Sequence, residues 1–536
     1  MAMLALGLDL FFFEGFIATP DENGYLLAAY RLGHGLLLSD PLDAAMTKMH
    51  VLRLGMVGPL VLVCWLAQGK IQYAAGLNIL YHLGLLLLGF DLGRTLKNRR
   101  AGLLTAFLLA VCPLFYLLAS IVRPDLAMCF WWTACLALLL RGLQGSRNPM
   151  AGRGHGHRLL GGAGFCLGVA YTCGPVALLT LAPLAAILIW FNPAGSGRRS
   201  LSGLLAFAAG LAVLLLLEQA LLFWLNGQLT WPLAASAKQG GRLAALSLDL
   251  LATRARLFSK IPPEVLPMSF WGWLAGLAGA VLIHPRQEAR HGLALALLTA
   301  WCILFLCFGG TNLGQYRPLP IDYRYLILVA PPASCLLAWS AVCLAQRWGG
   351  GQDGWRSRTA KLLILGLLPA LLFLGDLAPN LPRAGEAHKR SRLVGSFMAA
   401  ARLAQQLRPG YPLVLSGDLS DRLLGVFLWE PGPLVLRNKY FHQFSHPRPA
   451  PPFLFLEEWE SLRRRDDPLD FTLPPEWGSV EIRQLRVVSA PGARLKQLKQ
   501  GLWPAVLNPL PNQSVSRDDR DTVILVVEPS PGEKQP

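Results

Sequence analysis

Residues 19–31 read Thr-Pro-Asp-Glu-Asn-Gly-Tyr-Leu-Leu-Ala-Ala-Tyr-Arg, with two adjacent carboxylates, Asp21 and Glu22, directly after a proline. The apolar run Met1–Ile17 has just ended, and Tyr25, Leu26, Ala29 and Leu32 then recur at helical spacing. The stretch therefore reads as the start of an amphipathic helix. An Asp ahead of a helical run is also the ordinary mark of an N-cap, so the surroundings must separate a cap from a working pair of acids. If the flanking runs cross a bilayer, Asp21 and Glu22 lie at its edge. A carboxylate there is partly desolvated and still reaches a polar substrate.

The composition supports that placement. Hydrophobic residues make up 53% of the 536, and charged residues only 15%, against about 25% in soluble domains. The net charge is +17, and the basic residues cluster in short segments between apolar runs, the pattern of membrane topology signals rather than of nucleic-acid binding. All ten cysteines, from Cys64 to Cys343, fall in apolar runs and read as small membrane-core residues, without a disulfide framework.

Runs of membrane-crossing length, roughly 17–25 residues, lie near 71–93, 101–122, 126–143, 201–224, 266–283, 292–309, 324–345 and 361–378. The run 159–191 suits two crossings, broken near Cys173-Gly174-Pro175. Met1–Ile17, with Asp9 and Glu14, reads as a short first helix; it lacks the basic segment and Ala-x-Ala site of a signal peptide. The basic loops Arg94–Arg100, Arg147–Arg158, Arg198-Arg199, Arg286–Arg290 and Arg347–Lys361 all face the cytoplasm if His50–Gln68, which contains Arg53 and Pro59, is juxtamembrane or re-entrant. The expectation is an α-helical polytopic membrane protein of about eleven transmembrane helices, with the N-terminus inside and the C-terminus outside. The Asp21 segment, the Ser120–Asp125 turn, the loop 225–265 and the turn 310–324 then share the outer face.

Beyond Pro379 charge returns and apolar runs shorten. Pro412–Ser416, Pro433–Leu436, Val480–Val488 and Thr522–Val527 read as strands, with a helix at Leu419–Trp429. Pro447–Pro452 and Pro529–Pro536 read as unstructured punctuation. Residues 1–378 form a membrane domain in this reading, and 379–536 a small α/β domain outside it.

The same outer face gathers further chemistry. Arg123-Pro124-Asp125 stands between two runs, where a carboxylate avoids the cost of about 2.5–3.5 kcal/mol at a helix centre; Asp125 either caps the helix starting at Leu126 or orients a substrate across from Asp21. In Asp322-Tyr323-Arg324-Tyr325, Arg324 is placed either to hold a lipid phosphate through paired charge-assisted bonds or to anchor in the interface beside tyrosine. Lys48, Arg53 and Arg317 are weaker candidates for phosphate. Glu218, inside the run 201–224, is suspect as an intramembrane acid. Gly152–His157 reads as a cytoplasmic loop. No Walker loop, Gly-x-Ser-x-Gly motif or metal-ligand spacing is present, and neither metal nor cofactor is predicted.

These residues resemble a known family. Pro20-Asp21-Glu22-Asn23-Gly24-Tyr25 is similar to the first-loop motif of GT-C glycosyltransferases, in their protein O-mannosyltransferase and lipid A aminoarabinose transferase branch (glycosyltransferase families 39 and 83). Asp125 resembles the second acidic position. Tyr171-Thr172-Cys173-Gly174-Pro175 resembles a Thr-Lys-Gly segment, with Cys173 where lysine is usual. Arg324-Tyr325-Leu326, followed by Ala330-Pro331-Pro332, resembles the entry to a late helix, and the tail around Tyr411–Ser416 the periplasmic domain of the aminoarabinose branch. The family's Lys-Pro near the end of the first loop is Lys48-Met49 here.

The resemblance implies transfer of a sugar from a polyprenyl-phosphate carrier to a hydroxyl on a lipid, glycan or protein, in the inner membrane with a periplasmic C-terminal domain. Asp21 is the expected base, Glu22 acts beside it, and Asp125, Arg123, Arg324, Tyr325, Tyr25, Arg317 and Lys48 are the expected substrate-binding set. The chain itself adds that no cytoplasmic nucleotide-binding domain is present to take a nucleotide sugar. A secondary transporter would show paired repeats with helices broken near the midplane. A non-catalytic membrane platform would tolerate replacement of Asp21 and Arg324 together.

Overall fold

The computed structural model describes residues 1–12, 20–35, 53–67, 73–119, 121–145, 152–190, 197–226, 247–266, 268–282, 289–309, 323–348, 359, 362–381, 411, and the strand residues 413–415, 435–437, 453–458, 480–487 and 522–529. The helices are α1 (Ala2–Phe11), α2 (Pro20–Gly33), α3 (Leu54–Leu66), α4 (Gly76–Leu96), α5 (Arg99–Val111), α6 (Pro113–Ala119), α7 (Asp125–Gly145), α8 (Gly152–Cys173) and α9 (Leu181–Trp190). They continue as α10 (Gly197–Asn226), α11 (Leu248–Val265), α12 (Ser269–Leu282), α13 (Ala289–Phe308), α14 (Ala330–Trp348) and α15 (Leu363–Leu381). Two 3₁₀ turns, Pro175–Thr180 and Tyr323–Leu328, precede α9 and α14.

Five of these helices, α4, α7, α10, α13 and α15, are long and apolar enough to cross a bilayer. A sixth crossing arises if α5 and α6, bent by 54° at Cys112-Pro113, count as one. The bend has a covalent cause: Pro113 has no N–H for the carbonyl four residues back and its ring crowds that turn. Likewise Gly174-Pro175 ends α8 where the sequence predicts a break. At 13 residues with Pro59 inside, α3 is too short to span.

Burial sorts the spans. In α7, 78% of the apolar window is buried, against 22% in α10 and α15, so α7 is the central helix and the other two offer their surfaces to lipid. Trp132 of α7, fully buried, donates through Nε1 to Thr180 Oγ1 at 3.1 Å and thereby ties the core helix to the turn after α8. Helices α8 and α10 cross so closely that a Cβ on Gly164 would collide with the Phe207 carbonyl, and one on Gly210 with that of Gly161. Such small-residue crossings are how apolar helices associate where no hydrophobic force drives them together.

The C-terminal segment holds a five-stranded mixed sheet, ordered β2-β1-β3-β5-β4. Its strands are β1 (Leu413–Leu415), β2 (Val435–Arg437), β3 (Phe453–Glu458), β4 (Val480–Val487) and β5 (Thr522–Pro529). β1 runs parallel to both β2 and β3, whereas β5 is antiparallel to β3 and β4. The parallel β1–β2 pair requires a crossover, and the helix expected at Leu419–Trp429 lies outside the described residues. The central strand β3 directly follows the Pro-rich stretch and has no counterpart in the strands read from sequence. Tyr411, just ahead of β1, packs on the helical core.

Gly210→Leu is expected to overpack the α8–α10 crossing and destabilise the protein by about 1–3 kcal/mol or more. Gly7→Ala, where nothing lies within 4 Å of the new methyl, should be neutral or stabilising by up to about 1 kcal/mol. Thermal unfolding in detergent distinguishes the two.

Candidate active site

Three separated segments meet at the end of the bundle where α4 and α7 begin. The first is α2. Pro20 opens it, where a missing N–H is harmless, and Asp21 and Glu22 occupy its first turn, favoured by the helix dipole. The helix is not amphipathic, contrary to the spacing-based expectation: residues 22–29 are all buried, Glu22 and Asn23 as deeply as Leu26. The core packs around the first two turns of α2, and among the residues whose burial is described there only Asp21, with 48% of its side chain exposed, remains open.

The loop after α6 is the second segment. Glu22 Oε1 accepts a hydrogen bond from Val122 N at 3.1 Å. Asn78, in the first turn of α4, donates through Nδ2 to Arg123 O at 2.9 Å and to Ile121 O. With its backbone held on both sides, Arg123 places Nη2 3.6 Å from Asp21 Oδ2. Asp125 is the first residue of α7 rather than a cap ahead of it, and is only 6% exposed.

The third segment is the turn Tyr323–Leu328. Arg324 Nη1 lies 3.5 Å from the same Asp21 Oδ2, so one carboxylate oxygen faces two guanidinium groups. Arg324 Nη2 also donates to Tyr325 Oη at 3.4 Å, with its guanidinium carbon 5.1 Å from that ring's centre. Arg53, at the start of α3, repeats the arrangement: Nη1 donates to Tyr25 Oη and the guanidinium carbon stands 5.6 Å from the Tyr25 ring. A cation over a tyrosine face gains from the ring quadrupole. Burial pushes the Tyr25 phenol above its ordinary range; Asp125 and Asp21 add to the push, while Arg53 and Arg324 oppose it.

Asp21, Glu22, Tyr25, Arg123, Asp125, Arg324 and Tyr325 thus gather at one end of the bundle, whereas Lys48 and Arg317 lie outside the described residues. Glu22 Oε1 is turned to the loop backbone, where it holds Val122. Arg53, which the sequence ranks as a weak candidate, belongs to the cluster. Asn78 was not singled out; its signal was an amide at the start of an otherwise apolar run. The Tyr171–Pro175 turn abuts α3, since a Cβ on Gly55 would collide with Thr172 and Cys173. Glu218 stands apart on α10, buried beside Tyr171. Among the described residues, no three His, Cys, Asp or Glu side chains gather as metal ligands.

Residues 62–224 match the family model of dolichyl-phosphate-mannose-protein mannosyltransferase. ArnT from Cupriavidus metallidurans bound to undecaprenyl phosphate superposes with a TM-score of 0.53 at 15% identity, covering 98% of this chain and 97% of that one. The chain thus shares the ArnT fold over nearly its whole length. Apo ArnT gives 0.51 at 16% identity over 98% and 96%. The archaeal oligosaccharyltransferase AglB from Archaeoglobus fulgidus, in complex with an inhibitory peptide and a dolichol-phosphate, gives a TM-score of 0.43 at 12% identity over 78% and 60%. No curated protein matches the chain. The ArnT likeness extends over both the helical bundle and the sheet-bearing C-terminal segment.

Glu22→Ala leaves the buried Val122 N–H without this acceptor and is expected to destabilise by about 1–3 kcal/mol, whereas Glu22→Gln retains an acceptor oxygen and should lose less. Thermal unfolding of the two variants in detergent checks this order.

Proposed function

We propose that this protein is a GT-C glycosyltransferase that transfers a sugar from a polyprenyl-phosphate carrier to an acceptor hydroxyl on a lipid, glycan or protein, with Asp21 as general base. The reading rests on one observation, the meeting of Arg324, Arg123 and Asp21 at the partly open end of the bundle. The finer topology goes with it: about eleven spans, an inner-membrane location, and residues 379–536 as a periplasmic domain. Undecaprenyl phosphate in the ArnT structure supports the donor class.

Separations of 3.5 and 3.6 Å exceed the roughly 2.7–2.9 Å of a tight charge-assisted bond. Arg324 and Arg123 are thus close enough to neutralise Asp21 at rest and loose enough to exchange it for a phosphate. A donor phosphate drawing Arg324 away leaves the carboxylate with one cation fewer, which strengthens a carboxylate as a base. The acceptor hydroxyl then attacks the anomeric carbon as the bond from that carbon to the phosphate oxygen breaks. Its proton passes to Asp21, and the electron pair leaves with the polyprenyl phosphate, where Arg324, with Arg53 or Arg123, meets the growing charge. A single displacement gives inversion at the sugar carbon. Tyr325 and Tyr25 orient the two guanidiniums, Asp125 and Glu22 orient the sugar or acceptor, and Glu22 also holds the loop that carries Arg123. Lys48 and Arg317 are proposed as further phosphate contacts.

In nanodiscs offered a panel of polyprenyl-phosphate sugars, the wild type should release carrier from at least one. Asp21→Asn should insert normally and transfer roughly 10²–10⁴-fold more slowly, and Arg324→Ala should weaken donor use. Wild-type transfer by Asp21→Asn would remove Asp21 from the role of base.

A further inference from the structure

A second polar constellation lies inside the bundle, away from solvent. His82 Nδ1 is 2.9 Å from both carboxylate oxygens of Asp9, and both side chains are fully buried. The other ring nitrogen, Nε2, lies 3.4 Å from the carbonyl of Leu109. A carbonyl only accepts, so Nε2 carries a proton, and a further proton is shared between Nδ1 and Asp9. In either tautomeric arrangement the pair is neutral overall, which is what makes it tolerable in an apolar interior.

The position of Leu109 gives the pair a purpose. Its carbonyl is the one that residue 113 would satisfy in a continuous helix, and residue 113 is proline, with no N–H to give. Cys112 N reaches it only at 3.4 Å, so His82 supplies a second donor at the bend. The flanking aromatics fasten the short helix beyond. Phe115 stacks on the His82 ring at 5.6 Å between centroids, and Tyr116 on Phe12, which follows α1, at 4.5 Å. Helix α6 is thus clamped by α1 and α4 before it delivers Ile121, Val122 and Arg123.

On α4, Asn78 and His82 stand four residues apart and so share one face. His82 holds the start of the bent segment, through Leu109 O, and Asn78 holds its end, through Ile121 O and Arg123 O. We infer that the buried Asp9–His82 pair is a positioning device: with Asn78 it fixes the bend at Pro113 and the loop after α6, and through them the approach of Arg123 to Asp21. The inference rests on the transferase reading for its catalytic consequence and on geometry alone for the placement.

The test uses the full-length protein in nanodiscs. His82→Ala should raise amide exchange across residues 113–123 by about tenfold while α7 is unchanged. The transfer kcat should fall about tenfold with little change in donor KM, and the loss should vanish when Arg123 is already alanine. Should His82→Ala not fold, the double variant Asp9→Leu/His82→Leu replaces the pair by apolar side chains, a change that often preserves stability. It should keep the thermal midpoint and still loosen residues 113–123. Wild-type exchange there in a folded variant lacking the pair overturns the inference, as does an equal kcat loss in the Arg123→Ala background. If the wild type transfers no sugar at all, the transferase reading falls, and exchange alone still decides the placement.

Discussion

The carboxylate of Asp21 stands against two guanidinium groups that reach it from distant parts of the chain, Arg123 after α6 and Arg324 ahead of α14. This half-exposed ion pair is not what stabilises the protein, since surface pairs contribute about 0–1 kcal/mol. Its value is positional. Two cations and one anion are kept beside one another at the mouth of an apolar bundle, where the dielectric is lower than in bulk water. In the proposed reaction a phosphate on a lipid carrier would bring its own negative charge to these groups, and the neighbouring polar contacts hold them in place.

The holding is done by buried polar contacts rather than by the charges themselves. Glu22 binds the backbone of Val122, and Asn78 binds the carbonyls on either side of it. Tyr25 and Tyr325 each sit under a guanidinium. A buried backbone group left without a partner costs about 1–3 kcal/mol, so each contact restricts the loop to one arrangement. Prolines at 20, 113 and 124 set the chain directions into and out of the site, and polar side chains of α2 and α4 satisfy backbone groups there. Farther away, Asp376 plays a similar part for α12, accepting from Met268 N at 2.8 Å and from Ser269 N at 3.1 Å.

Much of this was readable from residue order. The break at Cys173-Gly174-Pro175, the shortness of the helix Leu54–Leu66, and four of the five strands followed from proline, glycine and apolar spacing. Asp21 and Arg324 drew notice because charge beside a membrane-length run is expensive unless used. What escaped were features set by tertiary packing. The α2 helix looked amphipathic because Tyr25, Leu26, Ala29 and Leu32 recur at helical spacing, yet the polar Glu22 and Asn23 are buried as well. Strand β3 was hidden by the prolines before it, and its register is fixed by β1 and β5 rather than by local pattern. Asn78 and His82 sat inside an apolar run, where one-dimensional reading discounts single polar residues; their partners, Arg123 and Asp9, are remote in sequence.

The most direct test of the account is a cryo-EM map of the protein in nanodiscs with undecaprenyl phosphate. The account predicts the phosphate within hydrogen-bond distance of Arg324, with Asp21 released from that guanidinium and facing the space beside the phosphate. A phosphate bound elsewhere, with the Asp21–Arg324 contact still closed, would contradict it.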